Sequence, residues 1–129
     1  MSSRRPMAIV ARASFGLLLA WATAATAGDA DVVSAVARRG GPGSFDFDVT
    51  IRSADTGWDR YADRIEVLGP DGTILGARVL DHPHDDEQPF TRAVSQIRIP
   101  PEIRIVAVRA HFKPTGFGGA AATVTLPGR

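Results

Sequence analysis

An all-β sandwich is the fold class that the sequence predicts, and three observations carry the prediction. Apolar and polar residues alternate strictly from Ser44 to Arg52. Clusters of glycine and proline break the chain into short segments, and no segment after residue 27 sustains the apolar period of a helix. Seven short strands separated by turns at such spacing suggest a seven-stranded antiparallel sandwich of the immunoglobulin or fibronectin type III kind.

The chain begins differently. Arg4, Arg5 and Arg12 stand without any acid, a largely apolar run follows from Ala13 to Ala24, and Ala25-Thr26-Ala27 precedes Gly28. This is the layout of a cleaved signal peptide, with small residues where a signal peptidase reads. The apolar run falls short of the roughly 20 residues that a membrane span needs. The expected division is a signal peptide at residues 1–27 and a β-sandwich domain at 28–129, periplasmic or secreted, with no membrane span after processing. Ser3-Arg4-Arg5 also fits twin-arginine export, and both routes stay open.

Without the leader, twelve basic side chains face fourteen acidic ones, and Lys113 is the sole lysine. Such a domain lacks the electrostatic footprint of a nucleic-acid binder. The chain has no cysteine, which excludes disulfides, thiolate metal sites, a cysteine nucleophile and a lipidated amino-terminal cysteine among these residues. A domain of about 100 residues can hold itself by its core alone.

The first predicted strand is Val32 to Arg38, ended by Gly40-Gly41-Pro42-Gly43. The second, Ser44 to Arg52, places Phe45, Phe47, Val49 and Ile51 on one face. Arg64 to Leu68 and Thr73 to Leu80 flank the turn Gly69-Pro70-Asp71-Gly72. Thr91 to Ile99 and Ile103 to Phe112 flank Pro100-Pro101, and Ala120 to Leu126 is last. Ile65, Val67, Val106, Val108, Val124 and Leu126 complete the expected core.

Lettered A to G in order, strands of an antiparallel sandwich send their A-B, C-D and E-F links to one end and their B-C, D-E and F-G links to the other. The first three are tight corners. The others are Ala54 to Asp63, Asp81 to Phe90 and Lys113 to Gly119. The sorting thus collects Trp58, Tyr61, His82, His84, Glu87 and Phe117 on one rim, with His111 close by.

Asp81 to Arg92 is the densest chemistry in the chain. In an extended segment His82 and His84 point the same way, and a carboxylate such as Asp85 could join them. Imidazole with carboxylate suits zinc or copper, with His111 as a further candidate ligand. The alternative is that Pro83 and Pro89 stiffen the loop while the histidines bond its backbone. Asp85-Asp86-Glu87 lacks the spacing of a calcium loop and reads as a solvated tip. Arg92 can neutralise that run as a local salt bridge. Trp58 and Tyr61 beside charges fit a binding surface, while Trp58 could instead fold back to plug the open end of the sandwich.

Gly116-Phe117-Gly118-Gly119 is followed by neither lysine nor helix and so is no phosphate loop. Ser53 and Ser95 sit in strand-like contexts without a nucleophile elbow. Enzyme chemistry is therefore the minority expectation.

The chain resembles a group of small exported bacterial proteins of unknown function. The resemblance rests on Asp55-Thr56-Gly57-Trp58-Asp59 with Tyr61-Ala62-Asp63, on Gly69-Pro70-Asp71-Gly72, on Gly118-Gly119, and on His82-Pro83-His84 with Glu87-Gln88-Pro89-Phe90-Thr91-Arg92. It implies that the three loops act as one unit and brings no activity with it. The expected function is an exported binding or accessory module, whose partner is a protein or a small molecule. The alternative is a zinc- or copper-binding periplasmic protein.

Overall fold

A computed structural model describes residues 27–129 of the chain, so the expected signal peptide lies, but for Ala27, outside the described residues. The described residues form seven antiparallel strands and no helix. They are β1 (Ala30–Gly41), β2 (Ser44–Ser53), β3 (Tyr61–Leu68), β4 (Ile74–Val79), β5 (Phe90–Arg98), β6 (Ile105–Lys113) and β7 (Ala122–Thr125). One sheet has the order β1-β2-β5 and the other β4-β3-β6-β7. The sheets face each other across one core cluster, with β1 beside β7 and β4 beside β5 at the margins.

The alternation in β2 explains why this strand is central. Phe45, Phe47, Val49 and Ile51 point inward and are completely buried, while Asp46, Asp48 and Thr50 stand on the opposite face. Small residues on β1 make room for them: Ala37 lies opposite Phe47 and Ala35 opposite Val49. On the other flank β5 sets Phe90, Val94 and Ile97 against Ile51, Phe47 and Phe45. The facing sheet contributes Ala62, Ile65 and Val67 from β3 and Val106, Val108, Ala110 and Phe112 from β6. All ten core residues expected from the alternation are buried.

Where the period of two would misdirect a side chain, the pairing slips. A register shift between Ala62 and Arg64 lets Ala62 and Ile65 share the inner face, three positions apart. Opposite the shift between Phe45 and Phe47, Gln96 of β5 adopts φ 59° and its N–H donates to Asp46 Oδ1 at 2.8 Å. Gly76 on β4 lies opposite Val67, and a Cβ there would come within 2.2 Å of Ile97 Cδ1. Only glycine lets β4 and β5 approach so closely.

Most strand ends fall one to three residues from expectation, β1 running from Ala30 to Gly41 and not from Val32 to Arg38, and two of the shifts have a visible cause. β3 starts at Tyr61 and not Arg64, because Tyr61 pairs with Lys113 and Ala62 with Phe112. β6 starts at Ile105 and not Ile103, because the Ile103 N–H donates to the Pro100 carbonyl and closes the corner. Strand count and connection order are as expected, so the ends sort as expected. The β2–β3, β4–β5 and β6–β7 links meet at one end. The Gly43, Pro70 and Pro101 corners occupy the other, where the Ile99 N–H donates to the Gly43 carbonyl and Ile103 packs against Gly69.

Phe47 has no exposed surface and lies at the centre of the smaller sheet. Phe47→Ala should cost about 3 to 5 kcal/mol, read as a shift of the urea midpoint at unchanged slope. Wild-type melting would place this face in solvent.

Candidate functional site

The rim begins with a buried carboxylate. Asp55 follows the end of β2, and its Oδ1 accepts the Ala62 N–H at 3.0 Å while Oδ2 accepts the His84 N–H at 2.9 Å. One side chain thus ties the β2–β3 loop to the start of β3 and to the β4–β5 loop. Gln88 makes a second tie. Its Oε1 accepts the Ser53 N–H at 2.8 Å, and its Nε2 donates to the His84 carbonyl at 2.9 Å and to Ser53 Oγ at 3.2 Å. The Leu80 N–H donates to the Asp63 carbonyl and closes the seam.

Within the β2–β3 loop, the Arg60 N–H donates to the Gly57 carbonyl and the Thr56 N–H to the Arg60 carbonyl. Trp58 and Asp59 are therefore the tip of a closed turn. Trp58 is 63% exposed and meets Tyr61 edge-on, with ring centroids 5.9 Å apart. It does not plug the sandwich. Phe112 fills that position beneath the guanidinium of Arg60, 5.3 Å from the ring centre. Lys113 Nζ lies 5.7 Å from the Tyr61 ring centre.

The two histidines of the β4–β5 loop differ sharply. His84 is 3% exposed and stacks on Phe90 at 4.0 Å with planes 8° apart. Neither of its ring nitrogens has a hydrogen-bond partner. Burial, reinforced by the charges of Arg92 and His82 and only partly offset by Asp55 and Glu87, holds its pKa below the ordinary value. The exposed His82 ring lies 4.5 Å from His84, and its Nδ1 bonds Asp81 Oδ1 at 2.9 Å. The hydrogen bond and charge of His82 in turn lower the Asp81 pKa. Asp85, Asp86 and Glu87 form an exposed tip, and Arg92 reaches Glu87 at 3.3 Å, the local bridge expected from the sequence.

His111 and Phe117 are not part of that pair. His111 projects from the outer face of the larger sheet and its Nδ1 bonds Asp63 Oδ1 at 2.6 Å. Phe117 folds back over the same face, 4.9 Å from His111 and 3.7 Å from the Arg109 guanidinium. The six expected rim residues thus share one end as three patches: Trp58 with Tyr61, His82 with His84 and neighbouring Glu87, and Phe117 with His111. Among the described residues no three His, Cys, Asp or Glu side chains converge to hold a metal ion. In particular His82, His84, Asp85 and His111 do not form one set.

Under Phe117 lies an ion cluster that the sequence reading did not single out. Glu66 points outward yet is 3% exposed, because Arg64 reaches its Oε2 and Arg109 its Oε1, at 2.8 and 2.9 Å. Burial pushes the Glu66 carboxyl up, but the hydrogen bonds and charges of Arg64 and Arg109 outweigh it and hold the pKa below its ordinary 4.5. Arg64 and Glu66, two apart, share a strand face and could have signalled this. Arg109 could not, because its place depends on the β3–β6 register.

Two concavities lie at the opposite end. One of about 340 Å³ is lined by Gly43, Arg98 and Pro100-Pro101. The other, of about 540 Å³ and mostly apolar, runs along Pro70, Arg104, Ile105 and Thr123.

No family model and no solved structure matches the chain. A curated protein of Halomicrobium mukohataei named "Putative lipoprotein" is 38% identical over 96 residues, which are 74% of this chain and 47% of that protein. The chain spans about half the length of that relative.

Asp55→Ala leaves two backbone N–H groups unpaired and should cost about 1.5 to 3 kcal/mol. Hydrogen exchange should quicken selectively at the Ala62 and His84 amides, and unchanged protection there would show that the loops are held by other contacts. For Glu66 the lowered pKa means that its contribution is complete above pH 4.5 and is lost as the pH falls through the folded-state value. Melting profiles of wild type and Glu66→Gln should therefore differ at neutral pH and draw together below pH 4.5.

Proposed function

We propose that the chain is an exported binding or accessory module of the immunoglobulin or fibronectin type III kind, which holds a partner at the rim of Trp58, Tyr61, His82, His84, Glu87 and Phe117. The observation that carries this reading is Trp58, 63% exposed at the tip of a turn closed by its own backbone hydrogen bonds. Leaving so large an aromatic in water forfeits the ~1.5 to 3 kcal/mol that burial of a large apolar side chain yields. Trp, Tyr and Arg are the residues that dominate binding hot spots, and here Trp58, Tyr61 and Arg60 adjoin one another.

Sheet order and loop sorting support membership of that sandwich class. The name of the curated relative supports a cell-envelope or exported location, as does the leader. A thioether-linked lipid on any of these residues is excluded, since none is cysteine. The partner is a protein or a small molecule presented outside the cytoplasm. The loop sequence around His82-Pro83-His84 is the feature by which relatives using the same rim would be recognised.

Trp58 is the sole tryptophan after residue 27, so its emission reports directly on the rim. Partners should be captured from the exported fraction with wild type, Trp58→Ala and Ile105→Asp. A partner that uses the rim shifts Trp58 emission to the blue, and Trp58→Ala weakens it by roughly 30-fold, the equivalent of a 2 kcal/mol hot spot. Loss in Ile105→Asp with full binding by Trp58→Ala would move the site to the apolar groove at the other end.

A further inference from the structure

We propose that the chain pairs with a second copy of itself through the outer face of the larger sheet. Residues directly opposite in an antiparallel ladder project to the same side, so the registers decide what this face presents. One row across it, from β4 to β7, is Ile74, Leu68, Ala107 and Thr123. Val79 stands outward near the rim end and Ile105 at the corner end, 69% and 49% exposed, and Ile74 is 52% exposed. With Phe117 folded over Arg109, the face carries four of the seven large apolar side chains that the described residues expose. Apolar groups gathered in this way mark an interaction surface, as scattered single ones do not.

The order of large and small residues points to a like partner. The row is large on the β4 side and small on the β7 side, where the groove of about 540 Å³ runs along Ile105, Ala107 and Thr123. A two-fold axis between two such faces, parallel to the strands and midway between β3 and β6, lays β4 of each copy over β7 of the other. Ile74 and Leu68 of each copy then enter the groove of the other, and Phe117 comes over Ala77 and Val79. Such a contact is isologous, so the face has to match itself. The large-to-small order along the row is what makes it do so.

Charge agrees with a second copy. A face with a strong net charge would repel its own copy, but here Arg64 and Arg109 are offset by Glu66, which they hold, and by Asp63, bonded to His111. Area sets the strength. β3 has eight residues and β6 nine, and at about 3.3 Å per residue and about 4.8 Å between strands the four-stranded face outlines about 500 Å². Two copies bury about 1,000 Å², the lower bound for a specific interface, so the dimer is weak and concentration-dependent. The contact takes in Phe117 but leaves Trp58 and the β4–β5 loop open, and it does not rest on the rim reading.

The test is sedimentation velocity on the protein from micromolar to several hundred micromolar. Its weight-average mass should rise with concentration from one chain toward two. Ile74→Asp should weaken dimerisation by about tenfold or more, since its carboxylate would lose water in an apolar groove with no partner. Val36→Asp, at a position 54% exposed on the smaller sheet, should dimerise like wild type and controls for the added charge. Because the chain has no cysteine, single cysteines read the geometry directly. Ile74→Cys mixed with Thr123→Cys should cross-link under mild oxidation more than either variant alone. A monomer at every concentration, a dimer that Ile74→Asp leaves intact, loss of the dimer in Val36→Asp, or no gain in cross-linking on mixing would each overturn the proposal.

Discussion

A sandwich without a disulfide must be held together by side-chain packing between its sheets, and that constraint shapes most of what surrounds the site. β2 meets it with four fully buried residues in strict alternation, and its neighbours follow. β1 offers alanines opposite the large residues, and β5 completes the layer with Phe90, Val94 and Ile97. Gly76 has no side chain because Ile97 occupies the space. Each adjustment preserves contact density, which in close-packed interiors decides stability.

The rim obeys a different rule. Loops at the end of a sandwich cannot bury enough apolar surface to order themselves, so they are ordered by hydrogen bonds to the ends of strands. Asp55 and Gln88 do this by bonding backbone groups that have lost their ladder partners. A buried carboxylate is tolerable there because backbone N–H groups replace its water. The outer face of the larger sheet uses the same device, with Glu66 masked by two arginines and capped by Phe117. A buried ion pair of this kind fixes geometry more than it adds stability.

The core was legible because alternation depends only on neighbours in the chain. Phe45 to Ile51 could be assigned without knowing any partner strand, and so could the sorting of loops by end, which needs only the strand count. Contacts that depend on register were not legible. That Trp58 stays in solvent while Phe112 closes the core end follows from Tyr61 pairing with Lys113, which no local pattern reveals. His111 shows both sides of this: alternation with Val106 and Val108 already turns it to the outer face, whereas its partner Asp63 depends on the β3–β6 register.

Order in the rim bears on binding as well as on folding. An exposed aromatic on a mobile loop must be immobilised when a partner arrives, at about 0.5 to 1.5 kcal/mol for each side chain ordered. Trp58 stands on a turn whose backbone is already closed by two hydrogen bonds, and the adjoining loop is tied to it through Asp55. The backbone's share of the ordering loss therefore occurs during folding, where the core offsets it. The same buried ties that hold His84 beneath His82 thus also hold the aromatic tip in place, so a disturbance at Asp55 reaches both patches at once.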